Sequence, residues 1–117
     1  MSYDISLRVK VEGLENTWVS FEDGPNITWN VSELIKQSSG WDIKNEDING
    51  HPDDWIKLIN RGIHELTNYP EKYRQYESPN GWGTIRGTLN FYHECVKMYE
   101  YGARKEDLMK VAQVYVN

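Results

Sequence analysis

Four groups of residues in this 117-residue chain have types and spacings that could do chemistry. His51-Pro52-Asp53-Asp54 offers an imidazole and two carboxylates, donors that could share a divalent metal. The same acidic pair also suits a helix starting at Pro52, because the amide end of a helix is electropositive. Neighbours within one turn rarely complete a metal site, so a helix start is the expectation and neither metal nor cofactor is assigned. Cys95 and His93 stand two apart on a predicted helix and point in different directions. A nucleophile–base pair would need the fold to bring His51 or His64 to Cys95, beside Asp53. Otherwise Cys95 reads as a small buried hydrophobe. The chain has no GxGxxG, Gly-Lys-Ser/Thr phosphate loop, HExxH or GxSxG, so no catalytic residues are assigned.

The other two groups suit binding. Asn80-Gly81-Trp82-Gly83-Thr84 puts two glycines and a hydroxyl at a helix start, where bare amides favour a phosphate or carboxylate. Arg86 on the first turn and Asn90 one turn later are spaced to reach the same ligand. In the competing reading the glycines serve a turn and Trp82 plugs the core. Asn26, Thr28 and Asn30 alternate with Ile27 and Trp29, and short amides beside a large ring suit a planar polar ligand, or an ordinary edge strand. Asn26-Ile27-Thr28 and Asn30-Val31-Ser32 match glycosylation sequons, but the opening residues show no secretory signal and both are set aside. Lys57, Asn60, Arg61 and His64 form a polar helix face that reads as solvated. Tyr69, Tyr73 and Tyr76, with Trp41, could instead form an aromatic patch for a protein partner.

The elements that must position these groups follow from periodicity. Tyr3, Ile5, Leu7, Val9 and Val11 alternate with Asp4, Ser6, Arg8 and Lys10, predicting a strand with one buried face. Trp18 to Phe21 predicts a returning strand, Asp23-Gly24-Pro25-Asn26 a turn, and Ile27 to Val31 a third extended segment. Ser32 is expected to cap a short helix ended by Gly40, and residues 41–50 to run as a surface loop. A helix from Pro52 carries the stripe Trp55, Ile56, Leu58, Ile59, Ile63 and Leu66 and stops before Pro70. Short helical turns over Pro70 to Tyr76 precede the longest helix. Its predicted face is Ile85, Leu89, Tyr92, Val96 and Tyr99, with Gly102 as its stop. Val111 to Val116 has strand composition and could return beside the first strand. The expectation is a single α+β domain over 1–117, a small antiparallel sheet of N-terminal strands plus the C-terminal strand against two main helices.

Composition narrows the function classes. Aromatics reach 13%, enough for one compact core, and a mean hydropathy of -0.75 with no long apolar run argues against a transmembrane helix. A net charge of -5, with no basic run, argues against general nucleic-acid coating or membrane-surface binding. One cysteine excludes an internal disulfide, consistent with a reducing cytoplasm.

The order of an alternating strand, Asn26-Ile27-Thr28-Trp29-Asn30, a Pro-Glu-Lys-Tyr segment and Pro79-Asn80-Gly81-Trp82-Gly83 resembles an uncharacterised family of small phage, prophage and bacterial proteins. The resemblance covers most of the chain and departs around residues 38–50. It implies a bacterial host cytoplasm and a non-enzymatic protein that acts by binding, as a counter-defence protein sequestering a nucleotide or NAD-derived signal. In that reading Asn26, Thr28, Trp29 and Asn30 take the ring and sugar, while Trp82, Gly83, Thr84, Arg86 and Asn90 take an anionic group. The alternative is a module that inhibits a host defence protein through exposed aromatics. A homodimer is compatible with either.

Overall fold

A computed structural model describes residues 2–45 and 50–117. Strand β1 (Ser2–Lys10) forms as its alternation predicts, with Ile5 and Leu7 buried and Tyr3 and Val9 half-buried. Ser6, on the polar face, is buried as well. Arg8 explains this: its Nε donates to Ser6 Oγ at 3.1 Å, and its guanidinium lies 3.9 Å over the Tyr115 ring.

The expected turn at Asp23-Gly24-Pro25-Asn26 is instead part of one long strand, β2 (Trp18–Thr28). The pairing Asp4↔Asn26 gives way to Ser6↔Asp23, so Gly24 and Pro25 oppose the single residue Ile5. That is a β-bulge, a place where an edge strand tolerates proline. Glycine is required there because a Cβ at Gly24 would collide with Met98 Sδ and approach the Ile5 carbonyl at 3.0 Å. A second bulge, between Glu22 and Ser20, leaves Phe21 unpaired. The extended segment expected to reach Val31 ends at Thr28, and Trp29–Val31 is a 3-10 turn. Asn30 therefore leaves the strand face that Asn26 and Thr28 share.

Helix α1 (Ser32–Ser39) ends at Gly40, whose φ of 85° is the left-handed conformation expected there. Ser32 is its first residue rather than its cap, and its Oγ bonds the Trp29 carbonyl. Residues 41–45 are not a surface loop: Trp41 and Ile43 are buried in the core, where Trp41 meets Trp55 edge-on at 5.6 Å. The rest of that predicted loop, 46–49, lies outside the described residues.

Helix α2 (Pro52–Asn68) starts and stops where predicted and buries Trp55, Ile59, Gly62 and Leu66. Helix α3 (Pro70–Tyr73) and a 3-10 turn (Arg74–Tyr76) lead to helix α4 (Ile85–Ala103). Its buried residues are Ile85, Thr88, Phe91, Tyr92, Cys95, Met98 and Gly102, while the predicted Leu89, Val96 and Tyr99 are only half-buried. The face is wider and rotated because α4 lies against both the sheet and α2. Gly102 is no αL stop. It packs so closely on Leu7 that a Cβ would collide with it. A short helix, α5 (Glu106–Lys110), precedes β3 (Gln113–Val116) and carried no periodic signal in the sequence.

The sheet order is β2-β1-β3, antiparallel throughout, with α4 against β2 and β1 and α2 reaching β3. The chain is thus α+β, a three-strand antiparallel sheet with its C-terminal strand included, packed against α2 and α4. Its 17 Å thickness is that of one sheet layer and one helix layer. Among the described residues, no helix is long and apolar enough to cross a membrane.

Candidate functional site

The two motifs singled out for binding meet at the junction of Asn30 and Gly83. A Cβ at Gly83 would lie 2.8 Å from the Asn30 carbonyl oxygen and 3.3 Å from Ser78 Cβ, so only glycine allows this approach. The loop before α4 closes on itself. Ser78 N–H donates to the Gly83 carbonyl at 3.2 Å and Gly81 N–H to the Ser78 carbonyl at 3.1 Å. Asn80 Oδ1 accepts from both Ser78 Oγ (2.7 Å) and Trp82 N–H (3.0 Å), and Gly81 takes the positive φ of 79° that this turn needs. Trp82 is therefore held outward and is 72% exposed, which excludes the reading in which it plugs the core.

Trp29, 48% exposed, stands beside Asn30 on the facing segment. Its ring leans on Tyr3, with centroids 5.8 Å apart. Ser32 Oγ donates to the Trp29 carbonyl at 2.8 Å and accepts from Tyr3 Oη at 3.1 Å, which anchors the turn to β1. Tyr3, Trp29, Ile43 and Lys44 also line a small cleft of about 110 Å³. Asn30, Arg86 and Asn90 are exposed, whereas the Asn26 amide is committed across the strands to Ser2 Oγ (2.9 Å) and Asp4 Oδ1 (2.7 Å). Thr28 is half-buried and pairs with Ser2 at the end of the sheet.

The start of α4 is met by the chain's own side chains. Thr84 Oγ1 accepts from Gly87 N–H at 3.0 Å, and Glu77 Oε2 accepts from Ile85 N–H at 2.9 Å. Arg74 Nη1 lies 3.7 Å from the other Glu77 oxygen. A carboxylate thus already complements the electropositive helix end. Glu77 stands eight residues before Ile85, outside any local capping pattern, so no residue spacing signals it. Replacing Glu77 with alanine is expected to cost about 1 kcal/mol, read by urea denaturation, because the Ile85 amide then loses its partner.

Of the groups considered for catalysis, only His51 and Asp53 come together. His51 caps α2: its Nδ1 accepts from Asp53 N–H at 3.0 Å, and its Nε2 lies 3.2 Å from the Lys110 carbonyl. One nitrogen accepts and the other faces an acceptor, so both ring nitrogens are engaged. Tyr99 Oη donates to Asp53 Oδ1 at 2.7 Å, and this bond raises the phenol pKa. Cys95 is fully buried, and desolvation pushes its thiol pKa well up, against thiolate formation. His64 sits on the exposed face of α2, bonded to Asn68. No group of three or more His, Cys, Asp or Glu among the described residues is placed to hold a metal.

The tyrosine patch is also revised. Tyr73 and Trp41 belong to the core, and Tyr73 Oη donates to Glu65 Oε1 at 2.5 Å, a bond that lowers the Glu65 pKa. Only Tyr69 of that set is strongly exposed. Trp82 and Trp29 are exposed as well, beside the Asn30–Gly83 junction, and Tyr101 is exposed near the far end of α4. Compared with protein-family models, curated proteins and solved structures, the chain matches none.

Proposed function

We propose that the protein is an interaction module that docks a partner protein through the junction of its two motifs, with Trp82 and Trp29 as anchors. The observation that carries this reading is Trp82 itself, held 72% exposed by a turn whose hydrogen bonds are all internal. Tryptophan is enriched among residues that dominate interface energetics, and a pre-set turn keeps the entropy lost on docking small. Exposed Asn30, Arg86 and Asn90 supply a polar rim. Two of the first amides of α4, those of Ile85 and Gly87, are already taken by Glu77 and Thr84, which favours a protein surface over a phosphorylated ligand. In the phage setting suggested by the motifs, the partner is a host defence protein.

The test is capture from bacterial host lysate with the intact protein and single variants. Trp82→Ala and Trp29→Ala are each expected to weaken capture of the same partner by at least about tenfold. Tyr101→Ala should leave it unchanged, since that residue lies about 24 Å along α4 from its start. Equal capture by all three variants would remove the assignment.

A second reading, sequestration of a nucleotide or NAD-derived signal, draws on the cleft beside Trp29, Tyr3 and Lys44. Native mass spectrometry with such ligands separates the two readings. A discrete retained mass lost in Trp29→Ala would favour the small ligand.

A further inference from the structure

A set of uncommitted charged side chains lies away from the tryptophans, in the groove where the start of α2, the end of α4 and α5 meet. The groove is about 410 Å³, within the size range of small-molecule sites. Met109, nearly fully buried, and Ala103 supply its apolar lining. Two of its polar members are committed: His51 is tied at both ring nitrogens, and Tyr99 is tied to Asp53.

Glu106 and Lys110 remain. They stand four apart on α5, the order and spacing in which glutamate and lysine ordinarily pair. Yet neither side chain makes an ion pair or hydrogen bond among the described residues, and both line the groove. Asp53 keeps one oxygen outside its bond to Tyr99, 3.7 Å from His51 Nδ1.

We propose that this groove binds a small zwitterion, a free α-amino acid with an apolar side chain. Its ammonium would sit between Glu106 and the open oxygen of Asp53, its carboxylate would meet Lys110, and its side chain would lie on Met109 and Ala103. A simple amine leaves Lys110 unanswered, and a simple acid faces two carboxylates with one lysine. Only a ligand carrying both charges on a short apolar body uses every uncommitted group.

The test is an NMR titration of the full chain, following the Met109 methyl and the His51 ring. The probes are L-leucine, 3-methylbutylamine and 4-methylpentanoate, which share one side chain and differ only in charged ends. Leucine is expected to saturate at a concentration at least about fivefold below either single-charge probe, the size of one exposed charge contact. Lys110→Gln should bring leucine down to the level of the amine, and Glu106→Gln should bring it down to the level of the acid. Neither residue holds an element in place, so both variants keep the fold. Trp82→Ala should bind leucine as the parent does, which separates this site from the docking surface. No saturable shift with leucine below about 50 mM, equal binding of leucine and amine, or an unchanged preference in both charge variants would overturn the proposal.

Discussion

Tyr92→Ala is expected to lower stability by about 4 kcal/mol, close to the most this fold can lose from one side chain. Tyr92 is fully buried on α4, and its hydroxyl proton is shared between Ser38 Oγ at 2.7 Å and the Ile35 carbonyl at 3.3 Å. It therefore joins three helices: α4 by its backbone, α1 by its hydroxyl, and α2 by the ring that lies against Gly62. Truncation opens a cavity at that junction, and a urea titration reads the loss. Tyr92→Phe should cost only about 1 kcal/mol, because Ser38 keeps its bond to the Leu34 carbonyl. The hydroxyl also carries a pH signature. Burial raises its pKa from 10.0 to about 12. Between those values the folded protein holds a proton that the unfolded chain releases, so stability is complete below pH 10 and falls as pH rises. The fall reaches about 2 kcal/mol by pH 12. Tyr92→Phe should show a shallower decline when urea midpoints at pH 8 and pH 11 are compared. Equal declines in the two proteins would assign the alkaline loss to other groups, Tyr73 and Tyr99 among them, whose pKa values are also raised.

Gly62→Ala is the second large effect, and its sign is opposite to the usual one. Inside a helix, alanine ordinarily gains about 1 kcal/mol over glycine. At Gly62 the new Cβ would lie 2.5 Å from Tyr92 Cε2 and 2.7 Å from Cζ. The ring cannot retreat, because its hydroxyl is fixed to α1 and its other side is packed. Either α2 and α4 separate or the Ser38 bond breaks, at a net cost of about 2–3 kcal/mol by chemical denaturation. Combining Gly62→Ala with Tyr92→Leu should cost less than the sum of the two single changes, since the leucine leaves the space the methyl needs. Strict additivity would show that the ring is not what the methyl meets.

Where one periodicity governs a segment, the sequence was readable. β1 and α2 each have one buried side that alternation or a helical stripe declares, while β3 follows from strand composition and begins at Gln113, two residues later than that composition suggests. β2 reads as two segments in the sequence because Asp-Gly-Pro-Asn is the composition of a turn. The constraint that makes it a bulge, the closeness of Gly24 to Met98, is tertiary. The buried face of α4 departs from its hydrophobic stripe for a related reason. Thr88 and Gly102 occupy buried positions because neighbours come close, and no hydrophobic scale marks them. The candidate surface was half legible. The composition of both motifs pointed to recognition, and their meeting at Asn30 and Gly83 follows from the fold alone. The outward setting of Trp82 and the placing of Glu77 at the α4 amides depend on contacts that pattern cannot carry.

The two bulges of β2 bear on how copies of this chain behave at high concentration. β2 is an outer strand, eleven residues long, and would otherwise offer a straight row of free backbone groups to a neighbour. Gly24, Pro25 and Phe21 throw that row out of phase at two points, and Pro25 has no amide to give. On the opposite margin the Val114 amide is taken by the Gly50 carbonyl at 2.9 Å. Both margins are thus interrupted as templates for an added strand, which disfavours propagation of the sheet from molecule to molecule. Contact between copies then falls mainly to side chains, which leaves self-association under the control of surface composition and resists the fibrous growth to which short open sheets are prone.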